Sequence, residues 1–131
     1  MFEKLLEVRK NSYSPYTKFP VSAIVVTKDG REFPGVNVED ASTRAGACAE
    51  RVAIFSAITA GVKKGDFKEI HVLASKGEIG IPCFVCRQML SEVFPVEAKV
   101  YCYSITGEMQ EFTIKELCPY PFEEFTEEDV K

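Results

Sequence analysis

The amino-acid sequence predicts one three-layer α/β/α domain built around a mixed five-stranded sheet. Three observations predict it. Strand-like and helix-like segments alternate in the order β-β-α-β-α-β, which places crossover helices on the faces of a sheet. Asp29-Gly30 stands between two apolar runs, the strongest short signal for an antiparallel hairpin. The 131 residues are enough to bury a single core without disulfides or an obligatory structural metal, and too few for a second domain.

Each element has its own signal. Leu5, Leu6 and Val8 within residues 2–10 predict a short first helix, stopped by the turn formers of 11–16. Residues 19–27 and 31–38 flank Lys28-Asp29-Gly30 and form the hairpin. Residues 47–60 are rich in helix formers, with apolar positions at Val52, Ile54, Phe55 and Ile58 and a stop at Gly61. Residues 68–75 read as a buried strand, 83–94 as a helix opened by Pro82, and 98–104 as another strand. Residues 110–114 add a fifth. Crossover helices join strands that run the same way, so the sheet is expected to be largely parallel after its opening hairpin. No internal repeat, low-complexity tract or long linker interrupts the single domain, 1–131.

Composition excludes several functions. The net charge is −4, and Arg9-Lys10 and Lys63-Lys64 are scattered cations rather than a basic stripe, which argues against a nucleic-acid partner. No run approaches the ~20 apolar residues of a membrane span. Met1-Phe2-Glu3-Lys4 opens an amphipathic segment without signal-peptide architecture, so the expected location is cytoplasmic. Cysteines at 48, 83, 86, 102 and 118 are an odd number, which fits reduced thiols and metal ligands better than a disulfide framework. Glu123-Glu124 and Glu127-Glu128-Asp129 read as a solvated tail.

The chemistry is concentrated in two segments. Cys48-Ala49-Glu50-Arg51 and Pro82-Cys83-Phe84-Val85-Cys86-Arg87-Gln88 together supply three thiolates and one free carboxylate. Zinc takes four tetrahedral ligands, and three protein donors leave the fourth position for water, with Glu50 as the general base beside it. One zinc per chain is expected on Cys48, Cys83 and Cys86. Cys83 and Cys86 are three apart in a first helical turn and share a face. Both segments start helices, whose positive ends favour thiolates. Three thiolates on Zn²⁺ still leave a net negative centre, and the guanidinium of Arg51 or Arg87 is placed to drain it.

Other readings compete. A Cys-x-x-Cys pair alone is also a redox motif or half of a structural zinc site. A closed four-cysteine site would need Cys102 or Cys118, but Cys102 lies in the apolar segment 99–103 and Cys118 precedes Pro119, so both read as packing residues. His71 alternates within Ile70-His71-Val72-Leu73 and reads as a hydrogen-bonded strand residue rather than a ligand.

A Pro-Cys-x-x-Cys segment, a third Cys or His ligand and a non-ligating Glu form the known pattern of zinc deaminases, which is here matched and not deduced. The chain resembles the small cytidine deaminases from about Tyr13 to Phe122. Residues 13–21 look like the opening loop and first strand of that family, 35–39 like its nucleoside-binding strand end, and Glu116-Leu117-Cys118-Pro119 like its terminal helix. The resemblance implies hydrolytic deamination of cytidine and deoxycytidine in pyrimidine salvage. It also implies that Asn37 and Glu39 hold the ribose 3′-hydroxyl, that Phe19 packs beside the nucleoside, and that backbone groups around Ala49 and Cys83 read the base. Phe122 matches an aromatic that enters a neighbouring subunit's pocket, so the implied assembly is a homotetramer with a shared active site.

Some positions depart from the family pattern. Asp40 stands where Asn is usual, Ser22 and Phe84 where Gly is usual, and the loop 42–46 lacks a common aromatic and carries Arg44. Related enzymes deaminate the antibiotic blasticidin S, which makes a modified cytosine nucleoside the alternative substrate, although Glu39 favours an ordinary one. A non-catalytic zinc or redox protein on the same scaffold is the alternative from another class.

Overall fold

Runs of β-branched and aromatic residues form the strands, and their burial follows from which faces the helices cover. A computed structural model describes residues 1–123; the part of the acidic run at 124–129 lies outside these residues. The order is α1 (Phe2–Arg9), β1 (Val21–Thr27), β2 (Glu32–Val36), α2 (Ala49–Thr59), β3 (Phe67–Ala74), α3 (Phe84–Val93), β4 (Lys99–Tyr103), β5 (Met109–Thr113) and α4 (Ile114–Leu117). The five strands form one sheet in the order β2-β1-β3-β4-β5.

The sheet is mixed, as the sequence predicts, but it is not largely parallel. β1 pairs antiparallel with both β2 and β3, and β4 pairs antiparallel with β5; among the described strands only β3 and β4 are parallel neighbours. The reason is the path of α2. It carries the chain from β2 across β1 to β3, packing on β1 and β2 as it goes. β2 and β3 therefore run the same way, as a crossover requires, but β1 lies between them.

Alternation along the strands divides the interior into two layers. Ala23 and Val25 of β1, Ile70 and Val72 of β3, and Val100 and Cys102 of β4 belong to the core that includes residues of α2 and α3. Ile24, Leu73 and Tyr103 belong to a smaller core with Leu5 of α1. Ser22 lies on the α1 side, where its hydroxyl donates to the Leu5 carbonyl at 2.7 Å. A glycine at 22 could not make that tie, so this departure is a matter of fold rather than of the site. His71 shares that side, bonded to Glu69 and to the Tyr103 hydroxyl and stacked on Tyr101.

α2 buries a different face from the one its large residues suggest. Ala49, Ala53, Ile54 and Ala57 are buried, whereas Phe55 and Ile58 are 45% and 44% exposed. Gly35 in β2 explains this. A Cβ there would lie 2.4 Å from Ala53 N and 2.5 Å from Ala49 O, so helix and strand meet at main-chain distance and only small side chains fit between. α4 has a start signal that the strand-and-helix reading passes over: Thr113 and Glu116 form a reciprocal capping box, with Glu116 N donating to Thr113 Oγ1 and Thr113 N to Glu116 Oε1.

Candidate active site

Two helix starts and one strand end converge. Cys48 and Cys83 are the N-cap residues of α2 and α3, both extended, and neither side chain caps its own helix. Both sulfurs are thereby left available for a shared partner. Cys86 sits one turn into α3 and is buried. The three Sγ atoms lie within 4.8 Å of one another, and Cys48 and Cys83 are 3.8 Å apart. Tetrahedral zinc with Zn–S bonds of roughly 2.3 Å needs sulfurs about 3.8 Å apart, so the donor set fits that ion.

The surroundings of the sulfurs are polarised. In the zinc-free chain Cys48, bonded to Cys86 and to Arg51, has its pKa drawn down to about 5. Cys86 moves the other way, because it faces Cys48 across that bond and is buried. Arg51 Nη2 lies 3.7 Å from Cys48 Sγ, where its charge offsets that of the thiolates. Arg87 is placed elsewhere. Its Nε donates to the Pro82 carbonyl at 2.7 Å, its Nη1 reaches the Leu117 carbonyl at 3.4 Å, and its guanidinium lies 4.4 Å from the Phe84 ring centroid. It braces the backbone in front of Cys83 and joins α3 to α4 instead of touching a sulfur.

Glu50 projects from the first turn of α2 and is only 4% exposed. Burial pushes its carboxyl up to about 7, the range in which a group both takes and gives protons at neutral pH. Before it opens a cleft of about 510 Å³, lined in part by Phe19, Asn37, Glu39, Ala49, Glu50 and Cys83. A larger groove of about 630 Å³ runs between α1 and β1–β2 and contains none of these residues.

Asn37 and Glu39 are more engaged than the sequence implies. Asn37 Oδ1 accepts from Val21 N and Ser12 Oγ, and Nδ2 donates to Phe19 O at 2.9 Å. The side chain thus holds the Phe19 segment in the cleft wall and keeps one N–H in reserve. Glu39 accepts from Tyr16 N, Thr17 N and the Thr17 hydroxyl, three of about four lone-pair positions of a carboxylate. Lys76, which no motif marks, also lines the cleft, with Nζ 5.9 Å from the Phe19 ring centroid. Phe122 is not among the lining residues of its own chain's cleft. It is 70% exposed, and its backbone N–H and carbonyl are both bonded to the Gln88 carboxamide at 2.8 Å.

A sequence model described as the cytidine and deoxycytidylate deaminase zinc-binding region matches residues 1–103. The chain belongs to this deaminase family. A cytidine deaminase of Halalkalibacterium halodurans is 37% identical over 122 residues, 93% of this chain and 91% of that one. The crystal structure of cytidine deaminase from Burkholderia pseudomallei superposes with a TM-score of 0.89 at 36% identity, covering 92% of this chain and 95% of that one. A blasticidin-S deaminase of Bacillus cereus is 31% identical over 116 residues, 80% of this chain and 78% of that one. Family membership carries zinc binding with it, and Cys48, Cys83 and Cys86 are the cluster among the described residues that can hold the ion. No helix among the described residues is long and apolar enough to cross a membrane.

Proposed function

We propose that the protein is a zinc-dependent hydrolase that deaminates cytidine and deoxycytidine to uridine and deoxyuridine. The observation that carries this reading is a buried carboxyl beside three sulfurs spaced for one zinc, at the end of a cleft in the size range of small-molecule sites. Zinc held by Cys48, Cys83 and Cys86 supplies the Lewis acidity that makes water a nucleophile near neutral pH. Glu50 accepts a proton from the attacking water and delivers it to ring N3 as C4 is attacked; it then takes a second proton from the new C4 hydroxyl and passes it to the amine, so that the C4–N bond breaks, ammonia leaves and the C4 carbonyl forms. Backbone groups at Ala49 and Cys83 orient the base, while the burial around Glu50 excludes bulk water.

The blasticidin reading has less support, because that relative is less similar and Glu39 is retained here. A closed structural zinc site finds no fourth donor among the described residues: Cys102 is buried within the main core, and neither it nor Cys118 belongs to the sulfur cluster. We assign the protein to the cytoplasm, a compartment in which three zinc-holding thiolates stay reduced. An ultraviolet assay of zinc-loaded protein should show turnover of cytidine and deoxycytidine well above that of cytosine, cytidine monophosphate and blasticidin S. Preference for blasticidin S would reassign the substrate, and no turnover of any of them would reassign the class.

Asn37 and Glu39 are assigned to the ribose 3′-hydroxyl, using the remaining N–H of Asn37 and the remaining lone pair of Glu39. Replacing either by Ala should reduce use of cytidine by about 1–3 kcal/mol, the cost of leaving a hydroxyl contact unmade. The loss should be smaller for 3′-deoxycytidine. Equal losses with both nucleosides would mean that these side chains only brace the wall.

We assign the active form to a homotetramer in which Phe122 helps close a neighbour's cleft. The exposed Phe84, Val85, Phe55 and Ile58 on α2 and α3 support an assembly through that side, and the Gln88 clamp holds Phe122 in a fixed place. Truncation after Cys118 should therefore abolish activity while zinc remains bound. Mixed oligomers of the truncated chain with full-length Glu50→Gln should recover part of it, because an intact centre borrows a neighbour's lid. A fully active monomer in sedimentation would dispose of the shared pocket.

A further inference from the structure

The strand end that carries Asn37 and Glu39 and the helix start that carries Cys48 are adjacent in space but separated by a loop, residues 39–46. Val38 and Ala47 clasp the two ends of that loop: Val38 N donates to Ala47 O at 3.0 Å and Ala47 N to Val38 O at 2.9 Å. Val38 lies between Asn37 and Glu39, and Ala47 immediately precedes Cys48. The clasp therefore sets the distance between the residues assigned to the sugar and the first zinc ligand.

One side chain organises everything between the two ends. Asp40 Oδ2 accepts from Ser42 N at 3.1 Å and from the Ser42 hydroxyl, and Oδ1 accepts from Ala45 N at 3.1 Å and Gly46 N at 3.2 Å. The Asp40 carbonyl in addition accepts from Thr43 N at 3.0 Å. So one carboxylate fills its acceptor positions with donors from both limbs of the loop. Within the closed loop Thr43 sits at φ 61, a conformation that costs a β-branched residue. It also brings Gly46 so near that a Cβ would lie 2.2 Å from Val38 O. The loop, with Thr43 and Gly46, walls a cavity of about 260 Å³ that Cys48 and Arg51 also line. Loop order thus also governs what reaches the Arg51–Cys48 pair from behind.

We propose that Asp40 is a positioning residue for deamination: by tying loop 41–46 to the end of the nucleoside strand, it holds Glu39 and Cys48 at the separation that the reaction needs. The proposal rests on the assignment of Asn37 and Glu39 to the sugar. It also assigns a role to an aspartate where the family usually carries Asn. Each side-chain contact of Asp40 is with a donor, so an amide at 40 keeps the bonds to Ala45 and Gly46 through its oxygen but turns an NH₂ toward Ser42 N. Asp and Asn should therefore differ in degree, and Ala should differ from both.

The test compares Asp40→Ala, Asp40→Asn and the unaltered full chain, each loaded with zinc. Zinc retention is read by competition with a chromophoric chelator, and the cytidine KM and kcat are measured separately. Asp40→Ala should raise KM and weaken zinc retention, each by about tenfold, the scale for residues that orient ligands from behind. Turnover per bound zinc should fall less, since Glu50 stays buried in α2. Asp40→Asn should recover most of both losses. Wild-type KM and zinc retention in Asp40→Ala would overturn the proposal, even with a lowered melting temperature, because Asp40 would then serve the fold alone. If the unaltered protein deaminates no cytidine, the function assigned above fails. Zinc retention, with hydrogen exchange at the Ala45 and Gly46 amides, still decides whether Asp40 sets the loop and Cys48.

Discussion

Replacing Glu50 by Gln should leave fold and bound zinc intact and lower cytidine turnover by at least about 10²- to 10⁴-fold, the usual contribution of a general acid/base. The amide fills the same space but can neither carry a proton from water to N3 nor relay a second one from the C4 hydroxyl to the departing amine. Several transfers therefore fail together. Turnover near that of the unaltered chain would remove Glu50 from the chemistry. The same variant has a second signature in zinc-free protein. Burial raises the folded-state pKa of Glu50 from 4.5 to about 7, so the folded chain holds that proton more tightly than the unfolded chain. The resulting stability is fully present below about pH 4.5 and is lost as the pH rises through 7. Denaturant unfolding should show the zinc-free wild type losing about 3 kcal/mol relative to Glu50→Gln between pH 4 and pH 8. Parallel pH profiles for the two proteins would refute a buried, proton-holding Glu50.

Cys83→Ala should lose nearly all zinc under dialysis against a chelator, where the unaltered chain keeps one ion, and its melting temperature should fall toward that of the metal-free protein. Two thiolates make a poor site, and zinc held by a folded chain contributes directly to folding, by about 10–16 kcal/mol in small zinc peptides. Cys83 is the informative choice because it is exposed. Removing its sulfur opens no cavity, so a fall in stability reads the metal and not packing. Cys102→Ala provides the contrast: that sulfur is buried in the core, and its removal should cost stability while zinc stays. Zinc release from Cys102→Ala or Cys118→Ala would instead revive the closed structural site.

Much of this was legible in the sequence because it rests on local rules. Helix starts at Cys48 and Cys83, a three-residue spacing that returns Cys86 to the same sulfur cluster, and an Asp-Gly turn are properties of short segments. Arg51 reaches Cys48 for the same reason, being one helical turn away. Strand direction was misjudged because it depends on which strand a crossover passes, and no segment encodes that alone. The buried face of α2 could not be read from its apolar positions, because hydrophobic patterning weights size. Contact with a glycine fourteen and eighteen residues upstream selected Ala49 and Ala53 and left Phe55 outside. Arg87 lies four residues after Cys83, also about one helical turn, yet it turns to the carbonyls of Pro82 and Leu117. Asp40 stood out in sequence only as a departure, since its partners are backbone amides whose approach no residue pattern announces.

Gly35 belongs to none of the chemistry, yet it acts as a mechanical stop for it. Cys48 and Glu50 ride on the end of a rod whose resting height above the sheet is fixed where main chain meets main chain, with no side chain between to absorb error by changing rotamer. A single methyl group at position 35 would have to lift the rod itself, and displacements near 1 Å are the scale on which catalytic geometry fails by about 10²-fold. The tolerance of the reaction is thus written partly in an atom that the chain omits, at a residue that touches neither metal nor substrate.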